Sequence, residues 1–137
     1  MRNFLNSNPN FIVYLVAFSM FGMLLIMIIS FINKIAYRKI VSLYINKYSR
    51  LPITAALAKE ASLIVTPGAY FAKIGFIIET LTLPYNKISN HDMTKEQYDY
   101  INNLPKKLTI GFKIEAVLWI ISIPTMIVGF ILQAVYN

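Results

Sequence analysis

His91 is the one histidine of the chain, and carboxylates follow it at Asp92, Glu96 and Asp99. An imidazole and several carboxylates on one side of a helix are a ligand set that can bind a metal ion. Acidic residues at the start of a helix also stabilise it, because they interact favourably with its dipole while facing water. We favour the second interpretation, and we expect neither a metal site nor a cofactor.

Recognisable catalytic motifs are missing from the sequence. The chain has no cysteine, which rules out disulfides and thiolate catalysis. It also lacks the Gly-rich phosphate loop, the HExxH zinc motif and the GxSxG nucleophile turn. We therefore expect a protein that is not an enzyme.

Glu115 is an acidic residue at the start of a long apolar stretch, and Lys34 and Arg38 follow an earlier one. Two antiparallel helices would bring the three side chains to a similar depth. This arrangement predicts an interfacial ion pair between Glu115 and Lys34 or Arg38. An acidic side chain at a membrane span can also mark a proton or ion pathway. A conducting oligomer therefore stays open as an alternative function.

The second apolar stretch carries small and hydrogen-bonding residues at steps of three and four, which place them on one helical face: Ser122, Thr125, Gly129 and Gln133. Residues of this kind let membrane helices approach closely. Ser19 and Gly22 offer a smaller matching notch on the first stretch. The face predicts helix packing, either within the chain or between copies, and docking of a partner subunit is the alternative.

Two uncharged stretches must position these residues. The first covers 11–32, which is roughly 33 Å of helix and enough to cross a hydrocarbon core of about 30 Å. The second covers 114–136, is uncharged from Ala116 onward, and contains Pro124, which favours a kink. We predict two transmembrane helices, with 1–10 as a short extracytoplasmic tail and a retained anchor after it.

Basic residues set the predicted orientation. The net charge is +7, and all Lys and Arg residues except Arg2 lie between the two apolar stretches. The positive-inside rule then places 33–113 in the cytoplasm and both termini outside. Anionic lipid headgroups are the expected partners of the cations that flank the spans: Lys34, Arg38, Lys39, Lys106 and Lys107. Without a nucleic-acid-binding motif, we expect no nucleic-acid partner.

The segment between the spans reads as helical and partly amphipathic. A helix is predicted over 34–50, followed by an apolar hairpin over 52–83 with one arm over 53–65 and a turn at 66–68. The hairpin could be interfacial, re-entrant or bound to a partner, since its apolar surface must be covered. Thr94 and Gln97 form a capping-box pattern that predicts a short helix over 95–103.

The layout of one span, a basic cytoplasmic segment and a second span resembles that of the universal stress protein B family of small bacterial membrane proteins. The resemblance rests on topology and on the basic approach to the second span, Asn102 to Lys113. No motif assigns the chain to that family.

The sequence therefore predicts an all-α membrane protein with two transmembrane helices joined by a helical cytoplasmic segment. A composition in which Lys predominates over Arg, with abundant Ile and Asn, indicates an AT-rich, bacterial genome and hence the inner membrane. We expect the protein to act through protein contacts, as an accessory or regulatory subunit of a larger complex or as a homo-oligomer. A membrane immunity or phage superinfection-exclusion protein is the other alternative.

Overall fold

The computed structural model describes residues 7, 8 and 10–136, and no strand occurs among them. The helices whose bounds lie within these residues follow one another in this order: α1 Phe11–Tyr48, α2 Ile53–Leu57, α3 Pro67–Thr82, α4 Lys95–Asn102 and α5 Lys106–Tyr136. The predicted all-α fold is confirmed. Most of the predicted tail, 1–10, lies outside the described residues.

Helices α1 and α5 are both long and apolar enough to cross a membrane, by length and composition. α1 does not stop at the end of the apolar stretch but continues through the basic segment for a total of 38 residues. It ends where Ser49 adopts a positive φ of 65° and its N–H bonds to the carbonyl of Ile45 at 2.7 Å. A left-handed residue closes many helices in this way.

The chain divides into two compact units. The first joins the described residues up to 28 with 117–136, and it pairs one segment of α1 with one of α5. Gly22 lies against Ser122, and Gly129 lies against Val16. The two segments run antiparallel, because the residue numbers in these contacts decrease along α1 as they increase along α5.

The second unit, 29–116, has a core of its own. Helix α1 contributes a buried face at three- and four-residue steps, with Tyr37, Ile40 and Tyr44. Val41 of α1 adds to this core, and its other residues come from the following helices and loops: Leu51, Ala55, Tyr70, Ile74, Phe76, Ile77, Met93, Ile101 and Phe112. Much of the hairpin's apolar surface is therefore covered within the chain.

Helix α3 runs parallel to the later part of α1 within this unit. Tyr70 bonds to Ser30 at 2.8 Å, and four turns of α1 later the ring of Phe76 lies 5.7 Å from that of Tyr44. The N-terminus of α3 thus lies beside residue 30, and its C-terminus lies toward the end of α1.

The predicted first arm of the hairpin, 53–65, is wrong in its length, since α2 ends at Leu57. Ser62 and Thr66 hold the last part of the predicted arm in a turn instead of a helix. The Val65 N–H donates to Ser62 Oγ at 3.2 Å, and the Ser62 N–H donates to Thr66 Oγ1 at 3.1 Å. Side-chain oxygens of this kind offer the backbone an alternative to helical hydrogen bonds.

The predicted capping box of α4 is confirmed. The Gln97 N–H donates to Thr94 Oγ1 at 3.3 Å, and the Thr94 N–H donates to Gln97 Oε1 at 2.8 Å. The pair satisfies two backbone donors that the helix itself leaves without partners. α5 then begins at Lys106, directly after Pro105.

Candidate functional site

The most polar buried site of the second unit is built around Glu115, whose exposed fraction is 0%. Its Oε2 accepts a hydrogen bond from Asn33 Nδ2 at 2.7 Å, and its Oε1 accepts one from the Tyr70 hydroxyl at 2.8 Å. The Tyr70 hydroxyl in turn accepts from Ser30 Oγ at 2.8 Å. We call Ser30, Asn33, Tyr70 and Glu115 the Glu115 cluster; it joins α1, α3 and α5.

Local helix geometry positions the cluster. Ser30 and Asn33 are three residues apart and share one face of α1. Gly111 lies one turn before Glu115 on α5, and a Cβ at Gly111 would collide with Asn33 Oδ1 and lie 3.0 Å from its Cγ. The absence of a side chain at Gly111 therefore makes room for the amide that binds Glu115.

The hydrogen bonds compensate for the burial of the carboxyl group, which is costly without them. Burial raises the pKa of the Tyr70 hydroxyl; the bond from Ser30 opposes the rise, and the charge of Glu115 adds to it. Tyr70 therefore remains protonated and able to donate at neutral pH. Since Ser30 and Tyr70 are both hydroxyls, the same chain of bonds can reverse if Glu115 gains a proton.

The structure gives Glu115 partners other than those predicted. Lys34 and Arg38 are both exposed, and the ion pair of Glu115 with either one stays a prediction. Asn33 could have been identified from the sequence as a candidate partner of Glu115, because it is polar and directly precedes Lys34. Tyr70 gave no such signal, because its approach depends on how α3 packs against α1.

The small-residue face of α5 is divided between buried and exposed positions. Ser122 and Gly129 are buried, and the matching residues on α1, Ser19 and Gly22, are buried as well. Thr125 donates to the carbonyl of Ile121 at 2.6 Å. Gln133 is exposed. Ser122 and Gly129 thus pack within the chain. Docking of a partner on the rest of the face stays a prediction.

The cations expected to meet lipid headgroups are all exposed: Lys34, Arg38, Lys39, Lys106 and Lys107. Their side chains are thus accessible from outside the protein. Lipid binding itself stays a prediction.

The acids near His91 bind protein groups in separate places. Asp92 accepts from Thr54 Oγ1 at 2.6 Å, whereas Glu96 pairs with Lys47 at 3.4 Å and Asp99 with Lys95 at 2.7 Å. Within the described part of the chain, no three His, Asp or Glu side chains lie close enough together to hold a metal ion.

No protein-family model matches the chain, and comparison with curated proteins and with solved structures gives no significant match.

Proposed function

We propose that the protein is an integral membrane protein that crosses the bilayer twice and works through contacts with other proteins. One observation carries the membrane part of this proposal. Only 17% of the most apolar stretch of α1 and 22% of that of α5 is buried within the protein. A helix at the core of a water-soluble protein would be largely buried, whereas lipid can cover exposed Phe, Leu and Ile side chains.

The distribution of charge supports a cytoplasmic location for the second unit. Twelve of the thirteen Lys and Arg residues lie between 29 and 116, and all six acids lie there as well. Twelve cations less six anions leave a net charge of +6 on this unit. The positive-inside rule then favours both termini outside, in the inner membrane of a bacterium.

An exposed apolar surface on the second unit supports a role in protein contact. The Thr54 N–H and Oγ1 both donate to Asp92, which joins α2 to the loop before α4. Ile53 and Leu57, one turn apart on α2, are exposed, Leu57 by 86%, and Ile88, in the same loop as Asp92, is exposed as well. We call these three residues the junction patch. Apolar side chains gathered on a charged unit are typical of a surface that a partner covers.

The test is the mass and composition of the protein extracted from native membranes in mild detergent. We expect a homo-oligomer or a larger complex, and we expect Leu57→Ser to weaken it. Asn46→Ser, an exposed polar position on α1, is the control and should leave the complex intact. Extraction of a monomer without a partner would contradict the proposed role.

Proton movement at the Glu115 cluster is a second candidate function. The hydrogen bonds from Ser30 through Tyr70 to Glu115 form a continuous chain, which is the feature that favours it. When Ser30 Oγ binds an incoming proton, its own proton would pass to the Tyr70 oxygen, and the Tyr70 proton would pass to Glu115 Oε1. We expect Glu115→Gln to abolish proton flux into vesicles while Glu79→Gln leaves it unchanged. Equal flux in Glu115→Gln and the wild type would exclude this function.

A further inference from the structure

We propose that residues 61–73, which we call the α2–α3 tip, insert into the cytoplasmic leaflet of the bilayer beside α1. The inference rests on the proposed function, since it requires that α1 cross a membrane. It extends that function by adding a third membrane contact, made by a segment too short to span.

The composition of the tip fits a bilayer interface. From Ala61 to Ala72 the chain has no charged residue, and Lys73 closes the stretch. At its turn Ile64 and Val65 are 78% and 80% exposed. These side chains point away from the core of the second unit, and an apolar phase would cover them favourably.

Hydrogen bonds fix the tip at the level of the first predicted span. Tyr70, within the tip, bonds to Ser30, which belongs to the apolar stretch 11–32. Phe31 and Ile32, the last two residues of that stretch, are also strongly exposed. A bilayer that covers Phe31 and Ile32 therefore reaches the depth at which the tip lies.

Backbone polar groups at the turn of the tip form hydrogen bonds within the tip, as a segment in contact with lipid requires. The Thr66 N–H bonds to the Ser62 carbonyl at 2.9 Å, and Thr66 Oγ1 accepts from the Ser62 N–H. At the base, Lys73 Nζ donates to the Ala61 carbonyl at 2.7 Å and joins the two ends of the tip. These bonds keep polar backbone groups at the turn from facing hydrocarbon.

Charges at the base of the tip match a lipid headgroup layer. Burial lowers the pKa of Lys73; the nearby charge of Glu60 opposes that change, and Lys34 and Arg38 add to it. Lys73 Nζ lies 4.9 Å from the centroid of the Tyr37 ring, and Lys34 and Arg38, which lie on either side of Tyr37 in α1, are both exposed. An apolar turn above a layer of cations is the arrangement by which interfacial segments bind anionic membranes.

The test uses single cysteines in the full-length protein, which has none of its own. Val65→Cys carries an environment-sensitive fluorophore, and the protein is reconstituted into vesicles of phosphatidylcholine and phosphatidylglycerol with quenchers on their acyl chains. Ile88→Cys is the matched control, because Ile88 is 89% exposed but follows the opposite end of α3. Leu24→Cys, within the first span, reports on membrane insertion itself.

We expect quenching at Val65 and Leu24 and none at Ile88, and Ile64→Cys should behave like Val65→Cys. Quenching at Leu24 with Val65 matching Ile88 would overturn the inference and leave the membrane proposal standing. An unquenched Leu24 would overturn both, since no bilayer would then surround α1.

Discussion

At the scale of single residues, the Glu115 cluster depends on a glycine that takes no part in its hydrogen bonds. Gly111 leaves the space that the Asn33 amide occupies, and Asn33 is held in turn by Glu115. An added methyl group cannot be accommodated by moving Asn33 alone without weakening its bond to the carboxylate.

We therefore expect Gly111→Ala to lower the free energy of unfolding by about 1–3 kcal/mol, through overpacking and loss of that hydrogen bond. Denaturant unfolding in mixed micelles measures the change. Gly68→Ala is the matched control, because a Cβ at Gly68 meets nothing within 4 Å. An equal effect of the two substitutions would contradict the assigned role of Gly111.

Glu79, a half-buried residue on α3, gives stability a dependence on pH. Burial raises the pKa of its carboxyl; the charge of Asp92 adds to the rise, and His91 opposes it. The folded protein therefore holds this proton more tightly than the unfolded chain. The stabilisation is complete below the unfolded pKa of about 4.3 and is lost as pH rises through the higher folded pKa.

Glu79→Gln should remove that dependence, because the amide does not ionise. We expect the stability of the variant relative to the wild type to increase as pH rises above about 4.3. Thermal unfolding across the acidic to neutral range measures both proteins. A difference that stays constant over this range would show that the carboxyl is not perturbed.

At the scale of the helices, α4 depends on its N-terminal cap. Thr94→Ala removes the acceptor of the Gln97 N–H, and we expect a loss of about 1 kcal/mol in stability. Thr82→Ala is the comparison, since Thr82 bonds to a carbonyl within its own helix and caps no N-terminus. Hydrogen exchange of the α4 amides should rise in Thr94→Ala and stay unchanged in Thr82→Ala.

The sequence predicts helices well where their determinants are local. The uncharged run of α1, the Thr94 cap of α4 and the start of α5 after Pro105 are all properties of a few neighbouring residues. The helix predicted over 53–65 was too long because its last residues form a turn through side-chain bonds: Thr66 Oγ1 accepts from the Ser62 N–H, and Ser62 Oγ accepts from the Val65 N–H. Residue composition alone, which is rich in Ala there, favours a longer helix.

The candidate site was only partly accessible to sequence analysis, for a related reason. Glu115 stands out because it is an acid beside an apolar run. Its partners depend on tertiary packing: Tyr70 arrives from α3, and Asn33 fits only because Gly111 opposes it. Arguments from charge favoured Lys34 and Arg38, whereas the structure supplies neutral donors.

At the scale of the whole molecule, the central proposal is that α1 and α5 cross a membrane with 33–113, most of the second unit, on its cytoplasmic side. The exposure of both apolar helices and the concentration of cations in that unit support it from independent properties. The α2–α3 tip and the junction patch then have separate roles, one toward lipid and one toward a partner protein.

The most direct test is the labelling of single cysteines in cells by a maleimide that does not cross membranes. Leu24→Cys lies within the first span, and Ser42→Cys lies at an exposed position of α1 in the second unit. We predict that Ser42→Cys reacts only after the inner membrane is opened, and that Leu24→Cys reacts only after detergent is added. Labelling of Leu24→Cys in intact membranes, or of Ser42→Cys from the outside, would contradict the proposed topology.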